Sequence, residues 1–155
     1  MKRDLQAGRF LPFFFLLCLG GQGAWAQDVF VVEVERMEPN RWASQSLPPG
    51  YCVRLCNDSV FVDLPYRGVA HRPQMEQTVP RFAAGVRDLS VRKGKKGRVE
   101  LNFSAAWHAA WYRFRVLAGG DGRAQIHLSP SHAESIRYEG RWEGCLPKEK
   151  ERKEE

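Results

Sequence analysis

Tyr112-Arg113-Phe114-Arg115-Val116-Leu117-Ala118-Gly119-Gly120-Asp121-Gly122-Arg123-Ala124-Gln125-Ile126-His127-Leu128 is the stretch from which the fold can be read. Tyr112, Phe114 and Val116 alternate with arginines, and Ala124, Ile126 and Leu128 alternate with polar residues. Each half therefore presents one apolar face at a period of two, the signature of a half-buried strand. Between them, Gly119-Gly120-Asp121-Gly122 supplies residues that tolerate the positive φ of a tight hairpin turn. The stretch predicts an antiparallel hairpin with one face turned to a core.

The same pattern recurs on both sides. Val86, Leu89 and Val91 lead to a turn at Gly94-Lys95-Lys96-Gly97 and return as Val99, Leu101 and Phe103. Further upstream, Tyr51, Val53 and Leu55 turn at Asn57-Asp58 into Val60, Val62 and Leu64, and Pro65 closes that hairpin. Phe30, Val32 and Val34 share a face of a first strand, with Glu33 and Glu35 opposite, and Ile136 and Tyr138 mark a last strand after Ser129-Pro130-Ser131. Residues 38–50, with Pro39, Pro48, Pro49 and Gly50, read as a loop, and residues 66–85 as a long connection. Residues 104–110, Ser-Ala-Ala-Trp-His-Ala-Ala, have either helical propensity or the character of a widened turn. About eight short strands result, with no segment long enough for a strand-helix-strand crossover, so the expected fold is all-β and antiparallel. One-sided apolar strands close into either a sandwich or a small barrel.

The N-terminus has the layout of a secretory signal: Lys2, Arg3 and Arg9, an apolar stretch from Phe10 to Leu19, and the small-residue triplet Ala24-Trp25-Ala26. The apolar stretch is about half the ~20 residues that a spanning helix needs. Cys18 lies where a lipoprotein cysteine could lie, but Leu17 precedes it where the lipoprotein peptidase requires a small residue. The expected organisation is a cleaved signal at 1–26, one all-β domain at 27–146, and a charged tail at 147–155 that is disordered or a frayed helix. Export to the periplasm or cell envelope follows, with no membrane segment remaining after cleavage.

Cleavage removes Lys2, Arg3, Arg9 and Asp4 and leaves 21 basic against 17 acidic residues. This mild surplus is not gathered into the aromatic-interleaved stripe of a nucleic-acid binder, and no nucleic acid is expected as a partner. The densest run, Arg92-Lys93-Gly94-Lys95-Lys96-Gly97-Arg98, lies across a glycine turn and reads as a solvated hairpin tip.

Of the three cysteines after residue 26, Cys52 and Cys56 are four residues apart on one strand, hence about 13 Å apart. That exceeds the ~7 Å limit for a bridge. In an oxidising compartment the expected disulfide therefore joins Cys145 to Cys52 or Cys56. Neither a metal site nor a cofactor is expected, since no histidines or second cysteine pair stand at ligand spacing.

The histidines, His71, His108, His127 and His132, stand in no local hydrolase signature. Glu33, Glu35, Asp63, Asp88 and Glu100 mostly occupy outward strand positions, where carboxylates are solvated. Arg113, Arg115 and Arg137 form either a basic patch for an anion or cross-strand pairs with Glu139 or Glu100. The cluster of Trp107, His108 and Trp111, with Trp142, is the candidate ligand-binding region, because amphipathic aromatics anchor recognition sites. Trp111 has the opposite parity to Tyr112, Phe114 and Val116, which places it either on a ligand surface or under a covering loop.

Four elements in order, Phe30 to Glu35, Val60-Phe61-Val62-Asp63-Leu64-Pro65-Tyr66-Arg67-Gly68, Val91 to Gly97, and Ile136-Arg137-Tyr138-Glu139-Gly140, resemble the exported bacterial domain-of-unknown-function family 4251. The likeness covers roughly residues 28–143; the three cysteines do not belong to its pattern. It implies an all-β envelope protein and supplies no catalytic or binding residue. The expected function is a non-catalytic binding or structural module meeting an unknown envelope ligand or protein near Trp107 to Trp111 and the 66–85 connection. The alternative is a periplasmic hydrolase using a histidine-containing site, and a third possibility is assembly through an exposed sheet edge.

Overall fold

The computed structural model describes residues 29–71 and 81–148. The expected signal at 1–26, Cys18, the middle of the 66–85 connection and most of the charged tail lie outside the described residues.

Among the described residues ten strands form: β1 (Val29–Glu38), β2 (Gln45–Ser46), β3 (Cys52–Cys56), β4 (Ser59–Asp63), β5 (Arg81–Gly85), β6 (Arg87–Lys93), β7 (Val99–Trp107), β8 (Ala110–Ala118), β9 (Arg123–Pro130) and β10 (Ile136–Gly144). They make one antiparallel sheet in the order β5-β4-β3-β1-β10-β9-β8-β7-β6, with β2 on β1. The count is ten rather than eight. The additions are β2, inside the 38–50 loop, and β5, inside the 66–85 connection. Both were obscured because their outward residues and short length leave almost no alternation to read.

The two ends of this sheet, β5 and β6, are consecutive in the chain. Gly85 pairs with Ser59 of β4, Val86 donates to the Asp58 carbonyl, and Arg87 already pairs with Ser104 of β7. One bent run thus leaves one end of the sheet and enters the other, with Asp88 at positive φ where the ladder slips register. Bends and bulges of this kind turn corners in β-sheets, and here they bring the sheet nearly to a closed barrel.

Inward residues fill the barrel. Phe30, Val32, Val53, Leu55, Val60, Val62, Leu64, Leu101, Phe114, Val116, Ile126, Leu128, Ile136 and Tyr138 are almost wholly buried. An interior of about eight staves is just wide enough for side chains. Phe103 stacks on Phe114, and Phe30 on Trp142. A bulge at Glu35 and Arg36 puts two consecutive β1 residues outside and restores Met37 to the core. Opposite it, Gly140 lies so close to β1 that a Cβ would meet the Glu33 carbonyl oxygen at 1.9 Å.

The 104–110 segment is neither a helix nor a widened turn. β7 runs through Trp107, β8 starts at Ala110, and Trp107 pairs with Ala110 across a two-residue turn. His108 and Ala109 both have positive φ, the conformation of a turn whose twist matches its strands. Among the described residues no helix is long and apolar enough to cross a membrane.

Candidate functional site

The barrel has a tight end, with the turns after β3, β6 and β8, and a loop-bearing end built by the chain after β1, β4, β7 and β9. At the loop-bearing end, Ala70 bridges Ala133, the His71 amide donates to the His132 carbonyl, and the Glu134 amide donates to the Val69 carbonyl. The Ser131 amide in turn donates to the Trp111 carbonyl, and Ser131 Oγ accepts from the Trp111 amide. The described start of the 66–85 connection, the 131–134 turn and Trp111 therefore lie side by side.

The three candidate residues separate by role. Trp107 is half-buried and stacks on Phe82 with ring centroids 5.3 Å apart, while Phe82 also meets Tyr112 at 5.0 Å. These rings join β5 to β7 and β8 where the ladder is open, so Trp107 closes the seam. His108 is exposed on the turn, its ring edge-on to Trp107 at 4.2 Å. Trp111 is 43% exposed on the outer face of β8, with the Arg87 guanidinium 5.2 Å from its ring centroid. Its parity, opposite to that of Tyr112, Phe114 and Val116, turns it to the outer wall. Trp142 is a packing residue whose indole N–H donates to the Gly119 carbonyl at 2.8 Å.

A second aromatic-cation pair went unread in the sequence. Trp42, 39% exposed, has Arg67 5.1 Å over its ring, and its neighbour Arg41 pairs with Glu134 at 2.8 Å. A tryptophan within a proline-rich loop was the available signal. Arg87 carried none, because its partner Trp111 is reached only across β7.

Arg115 pairs with Glu100 at 3.1 Å, and Arg137 with Glu38 at 3.6 Å, so two of the three patch arginines are explained by cross-strand pairing. Bonds from Asn102 and Arg115 hold the Glu100 carboxyl below the usual range. His127 is exposed on β9. The Nδ1 atom of His132 is buried with no hydrogen-bond partner, and burial, with a smaller contribution from His71, lowers its pKa. Among the described residues no histidine ring is hydrogen-bonded to a serine, cysteine or carboxylate, the arrangement a histidine-based hydrolase requires. Nor do three or more metal-ligating side chains converge among them.

The expected disulfide is not formed among the described cysteines. β1 stands between the candidates: Val29 pairs with Cys56 on one side, and its carbonyl accepts from the Cys145 amide on the other. Two strand spacings place those Cα atoms about 10 Å apart, beyond the ~7 Å limit, and Cys52 is farther along β3.

Comparison with known proteins gives two findings. The family model described as "Domain of unknown function (DUF4251)" matches residues 24–142. A crystal structure of a DUF4251 family protein from Bacteroides eggerthii is similar in fold, with a TM-score of 0.59 at 15% identity, covering 77% of this chain and 80% of that one. No curated protein matches.

Proposed function

We propose that this chain, which belongs to the DUF4251 family, is a non-catalytic binding or structural module, exported to the cell envelope by cleavage after residue 26, that meets its partner through the wall around Trp111. One observation carries the reading: Trp111 stands 43% exposed beneath Arg87, on a barrel whose inward side chains fill the interior. A filled barrel leaves recognition to its outer wall and loops. Tryptophan and arginine are the side chains most enriched where interfaces concentrate their binding energy. The 131–134 turn and the chain at Val69 to His71 extend the same wall, and Val69 is itself an exposed apolar residue.

The test replaces Trp111 with a photo-crosslinking amino acid in the full chain, in an exporting host, with His127 as an exposed control on β9 and the product's N-terminus read by mass. The expected result is an envelope-derived adduct from position 111 but not 127, on a chain beginning at Gln27. Equal adducts from both positions, or none from 111, would overturn the site, and an uncleaved N-terminus would overturn the export.

A further inference from the structure

At the tight end of the barrel, about 20 Å along β8 from Trp111, the turns after β6 and β8 border a groove of about 640 Å³. Its floor is crossed by a register row in which Arg92 of β6 pairs with Glu100 of β7, Glu100 with Leu117 of β8, and Leu117 with Gln125 of β9. Leu117 is 40% exposed there. Five cationic side chains line the groove: Arg92, Lys93, Lys96, Arg98 and Arg123. None forms a salt bridge among the described residues, whereas Arg41, Arg81, Arg115, Arg137 and Arg141 all do. The two carboxylates in the lining are engaged: Glu100 hydrogen-bonds Arg115 and Asn102 and feels the Arg92 charge across the strand, and Asp121 accepts from the Arg123 amide.

The geometry points to a binding groove for a phosphate-bearing anion. Cations outside any salt bridge around a concave surface concentrate positive potential, and arginine forks match phosphate oxygens in pairs. The volume suits a small molecule. Backbone contact fixes the rim, since a Cβ on Gly120 would meet the Lys96 carbonyl oxygen at 2.7 Å. The two turns are thus held together, and the cations they carry are spaced by the fold. A solvated hairpin tip accounts for the charge of Lys93 to Arg98, but not for its convergence with Arg123 from another hairpin. The groove lies apart from the Trp111 wall, so it stands or falls independently of the function proposed above.

The test is an amide-resolved NMR titration of the full chain with inorganic pyrophosphate, joined to co-sedimentation with vesicles of phosphatidylglycerol and phosphatidylcholine in equal parts. The expected result is saturable shifts confined to residues 92–98 and 117–125. Affinity should fall about tenfold or more in the Arg92→Gln/Arg98→Gln double variant, as loss of charge-assisted hydrogen bonds implies, and stay unchanged in Arg54→Gln on β3. Pyrophosphate binding identifies a free phosphate ligand, and sedimentation lost in the double variant identifies a lipid headgroup; either supports the groove. Failure of both probes to bind, shifts spread over exposed arginines generally, or equal affinity in the double variant would overturn it. Both substitutions are at exposed positions, and an unchanged thermal midpoint confirms that the variant is folded.

Discussion

The Tyr138 hydroxyl donates a 2.7 Å hydrogen bond to the Pro65 carbonyl, although the two residues are 73 positions apart. Tyr138 is fully buried on β10, and burial raises its pKa far above the ordinary value. Next to it, Tyr66 donates to the Glu134 carbonyl at 2.6 Å, and its pKa is pushed up to about 12 by burial and then by the Glu134 charge. The Leu64-to-Gly68 element and the Ile136-to-Gly140 element are therefore one structural unit, in which two tyrosines tie the chain leaving β4 to β10 and the turn before it.

Removing the Tyr138 hydroxyl leaves the Pro65 carbonyl without this partner in a partly buried setting, a cost of about 1–3 kcal/mol. Tyr138→Phe should lower stability by that amount in urea unfolding without changing the slope of the transition. A cost near zero would show that the Pro65 carbonyl does not need the bond.

Gly140→Ala should be among the most damaging single substitutions, on the order of 3 kcal/mol or more. The added methyl meets backbone, the Glu33 carbonyl oxygen and Val34 Cα, which cannot rotate away. Thermal unfolding of Gly140→Ala beside Gly85→Ala, where a Cβ has open space, makes the comparison. Equal midpoints would show that β1 and β10 can separate at no cost.

His132 sets a pH dependence. Its folded-state pKa lies below the ordinary value of about 6.5, so on acidification the unfolded chain takes up the proton first. Stability should fall as pH drops below about 6.5 and level off below the depressed folded value. Thermal midpoints measured between neutral and mildly acidic pH should show a smaller fall in His132→Gln than in the parent chain. Parallel curves would exclude His132 as a source.

Thiol labelling tests the cysteine geometry. Cys145 is exposed and Cys52 is buried on β3. A maleimide should modify Cys145 in the folded protein and Cys52 only after denaturation, and a reductant should leave the thermal midpoint unchanged. A midpoint lowered by reductant would mean that a disulfide forms after all.

Much of the barrel was legible because period-two alternation is local: the inward faces of β1, β3, β4, β7, β8 and β9 were all readable from single strands. What escaped depended on partners distant in sequence. β5 has one clear core residue, Phe82, whose value comes from Trp107 and Tyr112. The Trp107-His108-Ala109-Ala110 turn looked helical because alanine favours helices, while pairing along β7 and β8 overrides that preference. At the site, the aromatic cluster was visible but its division was not. Adjacent residues on a hairpin face opposite sides, and only register tells seam-closing Trp107 from wall-facing Trp111.

That division is tested most directly by unfolding Trp107→Ala and Trp111→Ala side by side. Trp107→Ala should lose about 2 kcal/mol or more, since it empties the stack that closes the seam. Trp111→Ala should stay within about 0.5 kcal/mol of the parent, as an exposed side chain with no structural task does. Equal, large losses would contradict the account, because Trp111 would then be part of the scaffold and the wall around it would have no surplus side chain to offer a partner.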